Sequence, residues 1–237
     1  MKNKVSKKAI VVFSGGMDSS ICLKLAMEKW GKDNILAITF DYTQRHSSEI
    51  AVSKKICNHW KVEQMIIPIN FLKKITFNSL THHDLNITNE GDTAPNSLVL
   101  GRNGLITRIA SIHAESIGAS EVYTGVIEVE ESNSGYRDCN RKYFDLLQEL
   151  LRIDFGHNEF RILTPLVKMT KVQTMELAEK LGELEYLLEN TITCYKGIPK
   201  QGCGSCPSCL LRNNAILEYA QNKNLEISYL NKLHDTE

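Results

Sequence analysis

Short apolar runs and amphipathic stretches take turns along the first half of the chain. Residues 9–13 (AIVVF) and 35–40 (ILAITF) are β-branched and apolar without alternation, which predicts strands covered on both faces of a parallel sheet. QMIIPI at 64–69 and EVYTGVI at 121–127 predict two more. Between them, residues 18–30, 47–60 and 102–118 carry apolar positions at helical spacing. Strand and helix in alternation predict an open, doubly wound α/β fold with a parallel sheet.

Residues 71–100 break this rhythm: they are polar, lack periodicity and contain Pro95 and Asn96, which predicts a long loop near the site. Past residue 140 the pattern shifts again. Helices are expected at 140–153 and 170–182, then a cysteine cluster, then a last helix in LLRNNAILEYAQNK at 210–223. The expected organisation is an α/β domain over residues 1–140 and a smaller helical C-terminal lobe over residues 141–237, with no internal repeat.

Composition narrows the ligand. The 237 residues are 42% hydrophobic, enough for a sizeable core. Lys plus Arg number 28 and Asp plus Glu number 28, so bulk charge asks for no polyanionic partner, and a small molecule is expected rather than nucleic acid. The basic start MKNKVSKK leads into only five apolar residues before SGG, which reads as a lead-in to the first strand. No apolar segment approaches the roughly 20 residues needed to cross a bilayer, so a cytoplasmic protein without a membrane partner is expected.

Seven cysteines, three of them within residues 203–209, fit a metal site in a reducing compartment better than a disulfide framework. Cys22 and Cys57 fall in helical patterns and read as core. Cys194, Cys203, Cys206 and Cys209, threaded with Gly197, Gly202 and Gly204, can surround one tetrahedral Zn²⁺ in a closed, structural shell. An iron–sulfur cluster uses the same ligand set.

The stretch VVFSGGMDSS at 11–20 joins the first strand to the first helix, where a doubly wound fold binds its ligand. Gly15 and Gly16 allow positive φ and close backbone approach, the N–H groups of the helix start favour an anion, and Ser14, Ser19 and Ser20 add hydroxyls. A tight turn with a helix cap explains most isolated SGG sequences. Set after a strand and before a helix, however, the full SGGxDS pattern resembles the pyrophosphate-binding loop of the ATP pyrophosphatase superfamily. That resemblance implies an adenine nucleotide alpha hydrolase-like fold, a loop gripping the β and γ phosphates of ATP, and attack of a substrate oxygen on the α phosphorus. Mg²⁺ would neutralise the phosphates, with Asp18 contributing to its coordination.

Further segments are similar to one family within it: FDYTQRHSSE at 40–49, LGRN at 100–103, SGYRDC at 134–139, TPL at 164–166, and TCYKG with CGSCPSCLLR between 193 and 212. Together they resemble the 7-cyano-7-deazaguanine synthase family. The resemblance implies ATP-dependent conversion of 7-carboxy-7-deazaguanine and ammonia to 7-cyano-7-deazaguanine through an activated carboxylate and an amide. It also implies a homodimer. With no glutaminase domain, the nitrogen is expected from free ammonia; the loop predicts AMP and pyrophosphate, although ADP stays open.

Residue roles follow. Phe13, Ser14, Gly15, Gly16, Met17, Asp18, Ser19 and Ser20 would form the ATP loop, with Phe40 and Asp41 near the adenosine. Asp18, Arg102 and Lys168 are the candidate catalytic residues. Arg45 and Arg102 suit a carboxylate or phosphate, for which a guanidinium fork is well shaped. Asp138 is a candidate acceptor for the N–H groups of a guanine-like base and Tyr136 a candidate stacking face, although capping a turn is the alternative for Asp138. Lys168 and Lys171, after TPL, are placed to neutralise phosphate. The chain departs from the family pattern at Met17, where Gln is common, at Thr43, where Gly is usual, and across residues 128–133 (EVEESN). Met17 is expected to point away from phosphates that the backbone holds.

Overall fold

The computed structural model describes residues 7–42, 48–76, 99–128, 136–194 and 196–224. The expectations placed on Thr43, on Arg45, on most of the 71–100 loop and on residues 129–133 lie outside the described residues. Five parallel strands form one sheet in the order β3-β2-β1-β4-β5: β1 (Ala9–Val12), β2 (Ile35–Asp41), β3 (Glu63–Pro68), β4 (Glu121–Tyr123) and β5 (Arg161–Leu163). The connecting helices are α1 (Met17–Trp30), α2 (Ser48–Trp60), the single turn α3 (Leu72–Ile75), α4 (Arg102–Ile117) and α5 (Arg141–Phe155). Three more follow β5: α6 (Lys171–Lys180), α7 (Leu184–Asn190) and α8 (Pro207–Lys223). The chain moves outward through β2 and β3, then returns to the other side of β1 with β4. That reversal opens a crevice beyond the carboxyl ends of β1 and β4.

The apolar strands owe their lack of alternation to burial on both faces. Along β1, Ala9, Val11 and the following Phe13 face one apolar cluster while Ile10 and Val12 face the other. The first cluster brings Ile21 of α1 and Ile56 of α2 together with Met175, Leu187, Ile216 and Tyr219 of α6, α7 and α8. The second packs Ala110 and Ala114 of α4 against Phe144 and Leu151 of α5. Gly104 permits this last contact, because a Cβ there would lie 1.9 Å from the Tyr143 hydroxyl. Glu121 pins the opposite end of the sheet: buried, it accepts Lys29 Nζ at 2.6 Å, Trp30 Nε1 at 2.8 Å and the Tyr123 hydroxyl at 2.9 Å.

The parallel α/β fold, its first four strands and α1, α2 and α4 between them stand as the sequence predicts, with β4 ending at Tyr123 rather than at residue 127. Three elements were missed: the single turn α3 falls where a loop was expected. β5 is three residues long, too short for any period to show, and α7 is a seven-residue helix without a side-chain cap. Beyond residue 140, β5 adds the edge strand next to β4 and α5 joins the cluster on the second face of the sheet. The helices α6, α7 and α8 form the smaller C-terminal part, and they share the cluster that covers α1. Among the described residues no helix is long and apolar enough to cross a membrane.

Candidate active site and metal centre

The glycine turn lies where β1 ends. Gly15 has φ +85°, and a Cβ there would sit 2.9 Å from Ser53 N of α2, so both backbone conformation and the approach of α2 require glycine. Gly16 takes φ −78° instead, an ordinary extended value, and serves as the N-cap of α1 with no side chain capping it. Sequence reasoning assigned positive φ to both glycines; only Gly15 uses it. The loop is braced from within. Ser14 and Ser19 hydroxyls meet at 3.1 Å, Ser14 Oγ accepts Gly16 N–H at 3.3 Å, and Ser19 and Ser20 donate to Gly16 O at 3.0 and 2.9 Å. The N–H groups that open α1 are thus held in one orientation and left for an anion. Met17 is buried in the apolar cluster under α1.

Above the turn is a cavity of about 330 Å³. Phe13, Ser14, Gly16, Met17, Asp18 and Ser19 line it, as does Phe40 at the end of β2. Ser20 and Asp41 are not in its wall: Ser20 is buried behind the loop, and the Asp41 carbonyl accepts Ile69 N–H at 2.6 Å. Arg102, the first residue of α4, does reach the cavity, with its guanidinium 5.7 Å from the ring centre of Tyr42 and Nη1 donating to the Tyr42 hydroxyl at 3.3 Å. Burial pushes the Tyr42 phenol up and Arg102 draws it part of the way back, so Tyr42 keeps its proton.

Lys168, Asp138 and Tyr136 stand apart from the cavity wall. Lys168 is exposed and outside the cavity wall, whereas Lys171, three residues on, lines the cavity and donates to the Asp18 carboxylate. The reason is local: Thr170 and Gln173 form a reciprocal capping box that starts α6 at Lys171, which aims that side chain at α1 and leaves Lys168 on the preceding turn. Asp138 is buried, and its Oδ2 accepts Asn103 N–H at 3.0 Å at the start of α4. Neither Asp138 nor Tyr136 is among the residues lining the cavity. Asp138 therefore sets the α4 N-terminus from behind, and through it the position of Arg102.

Other wall residues escaped the sequence reading. Thr124, Gly125 and Val126 follow β4, and a Cβ on Gly125 would lie 2.9 Å from Ser19 N, so β4 and the start of α1 meet backbone to backbone. The glycine interrupting EVYTGVI was the available signal. Thr193 and Ser208 come from the C-terminal part, each one residue before a cysteine of the cluster, and nothing in local pattern foretells their arrival.

The sulfur atoms of Cys194, Cys203, Cys206 and Cys209 all lie within 4.8 Å of one another, with Cys203 and Cys209 4.0 Å apart. Tetrahedral Zn–S bonds of about 2.3 Å place sulfurs about 3.8 Å apart, so the set fits one such ion. N–H groups of Lys196 and Cys206 donate to Cys194 and Cys203 sulfurs at 3.3 Å each, and Cys206 caps α8, whose N-terminal dipole favours thiolates. Against the desolvation that burial imposes, hydrogen bonds from Ser205 and Cys206 pull the Cys203 thiol down to about 5. Cys22, Cys57 and Cys139 are buried, with desolvation holding each thiol up, and read as packing.

Residues 8–220 match the family described as Queuosine biosynthesis protein QueC. Over 215 residues the chain is 39% identical to the 7-cyano-7-deazaguanine synthase of Clostridium botulinum (strain Loch Maree / Type A3), covering 90% of this chain and 96% of that relative. The enzyme of the same name from strain 657 / Type Ba4 matches to the same extent. Among solved structures, an NH3-dependent NAD synthetase from Campylobacter jejuni in complex with the nitrate ion aligns over 98% of this chain and 84% of its own, at 14% identity and a TM-score of 0.46. The match runs from β1 into α8 and takes in both the glycine turn and all four clustered cysteines: the chain belongs to the QueC family of queuosine biosynthesis proteins.

Proposed function

We propose that the chain converts 7-carboxy-7-deazaguanine and ammonia to 7-cyano-7-deazaguanine at the expense of ATP. The observation that carries this reading is the turn itself: an uncapped α1 N-terminus at the switch point of the sheet, opening into a cavity that Lys171 and Arg102 also reach. The phosphate chain of ATP suits those N–H groups and both cations. Apolar Phe13, Phe40 and Val126 on the same wall suit the adenine base.

A carboxylate is a poor electrophile, because its charge repels a nucleophile and oxide is a bad leaving group. Transfer of adenylate to the carboxylate oxygen removes both obstacles, and ammonia then displaces AMP to leave an amide. A second ATP would adenylate the amide oxygen with release of pyrophosphate, and loss of that oxygen as AMP together with the two amide protons gives the nitrile. In this reading Arg102 would orient the carboxylate, and Lys171 would hold phosphate charge once the incoming nucleotide draws it from Asp18. Asp18 would then hold Mg²⁺, which supplies charge neutralisation at the phosphates. The four clustered cysteines would hold Zn²⁺ in a closed shell, a structural role.

A homodimer belongs to this reading, and the exposed apolar stripe of Leu146, Leu150 and Ile153 on α5 is surface that self-association would bury. A monomeric mass in sedimentation would remove it. The deciding experiment is mass spectrometry of the purified protein with 7-carboxy-7-deazaguanine, Mg-ATP and ammonium. A nitrile with AMP and pyrophosphate supports the reading, ADP revises the activation route, and an amide as the final base product or no conversion overturns it.

A further inference from the structure

Arg212 lies one turn beyond Cys209 on α8 and is 4% exposed. A guanidinium stays charged at every accessible pH, and a buried charge needs an opposite charge close by. No carboxylate among the described residues pairs with it. Its Nε and Nη2 donate at 3.1 and 2.9 Å to Asn213 Oδ1, a neutral amide that accepts the donors and leaves the charge uncompensated.

The compensation is next door. A Cβ on Gly202 would lie 3.5 Å from Arg212 Nη2, 2.3 Å from Cys209 Sγ and 3.2 Å from Cys194 Cβ. Guanidinium and sulfur thus both border the point where a Cβ of residue 202 would stand, a point too close to the sulfur for any side chain, and residue 202 is glycine at φ +72°. Four thiolates around one Zn²⁺ carry a net charge of minus two. The α8 N-terminus supplies only partial positive charge to them, through Cys206 at its cap.

We propose that Arg212 is the counter-charge of the four-cysteine metal centre, a positioning residue whose buried charge offsets the net negative charge of the metal-bound cluster; this rests on the metal reading above. The test uses the full chain loaded with zinc, comparing the parent with Arg212→Gln and Arg212→Lys by the rate of zinc loss to a chromophoric chelator. The sulfur-to-metal absorbance of the cobalt-substituted forms is recorded in parallel.

Loss of a charged partner outside the ligand shell predicts zinc release about 10- to 100-fold faster in Arg212→Gln, with a shifted cobalt band. Arg212→Lys restores both to near the parent. Equal rates and bands in all three, or equally fast loss in both variants, overturn the proposal, since shape rather than charge would then be at work. Should the glutamine variant fail to fold, the lysine variant decides alone: zinc loss within about threefold of the parent supports it, and loss at least tenfold faster overturns it. A parent that binds no metal sinks the metal centre and this inference together, whereas a zinc-loaded parent with indifferent variants sinks only the inference.

Discussion

At the head of α6, the Lys171 ammonium rests against the Asp18 carboxylate with 9% of its side chain exposed. Two opposite charges of the cavity are thereby stored against each other, and a nucleotide would exchange that contact for phosphate on one side and a cation on the other. Lys171→Met keeps the aliphatic stem and removes the charge. Its kcat/KM for ATP is expected to fall about a hundredfold, the scale of one lost electrostatic contact in a dry site, with thermal stability nearly unchanged. Lys168→Met, on the exposed turn, should behave as the parent, and equal losses in the two variants would refute the assignment. The distinction between these lysines was open to the sequence but went unused. Both follow TPL, and the Thr170-x-x-Gln173 spacing of a capping box decides which one starts the helix and so which one faces α1. The glycine turn was legible, because backbone that must adopt φ +85° beside a neighbouring helix leaves its mark directly in residue type.

Between elements, one close joint in the site is the meeting of the β4 end with the start of α1 at Gly125. A side chain there has backbone, not flexible side-chain ends, as its neighbours: Asp18 C and Ser19 N at 2.9 Å and Asp18 O at 3.0 Å. Gly125→Ala must therefore push the turn away from the sheet. Overpacking of this kind costs roughly 1–3 kcal/mol, so the melting temperature should fall by several degrees while circular dichroism keeps its parent shape. The KM for ATP should rise at least about tenfold, because the displaced N–H groups no longer converge on one anion. An unchanged KM would show that the loop tolerates the shift. Here too legibility divides by physics. Strands buried on both faces announce themselves as apolar runs, as β1 and β2 do, whereas Arg161–Leu163 becomes a strand only because β4 lies open beside it.

Across the whole molecule, the four-cysteine cluster and the cavity share a wall. Thr193 and Ser208 line the cavity while the residues after them, Cys194 and Cys209, belong to the sulfur cluster. Stripping the metal under reducing conditions should loosen the 191–209 segment, seen as faster amide exchange there. It should also cut the stabilisation that saturating ATP confers, about 2.7 kcal/mol at a hundredfold excess over Kd, by at least half. Zinc should restore it, and ATP stabilisation indifferent to the metal would separate the two sites. What the chain determined by itself is whatever local chemistry encodes: apolar runs for a covered sheet, glycine for a strained turn, four cysteines at ligand spacing, and the motifs that mark the family. What the tertiary structure alone decided is which groups far apart in sequence become neighbours. Lys171 against Asp18, Asp138 behind Arg102, and Arg212 across Gly202 from the sulfurs all depend on how helices dock, since docking follows the packing of whole faces and leaves no signature at any single residue.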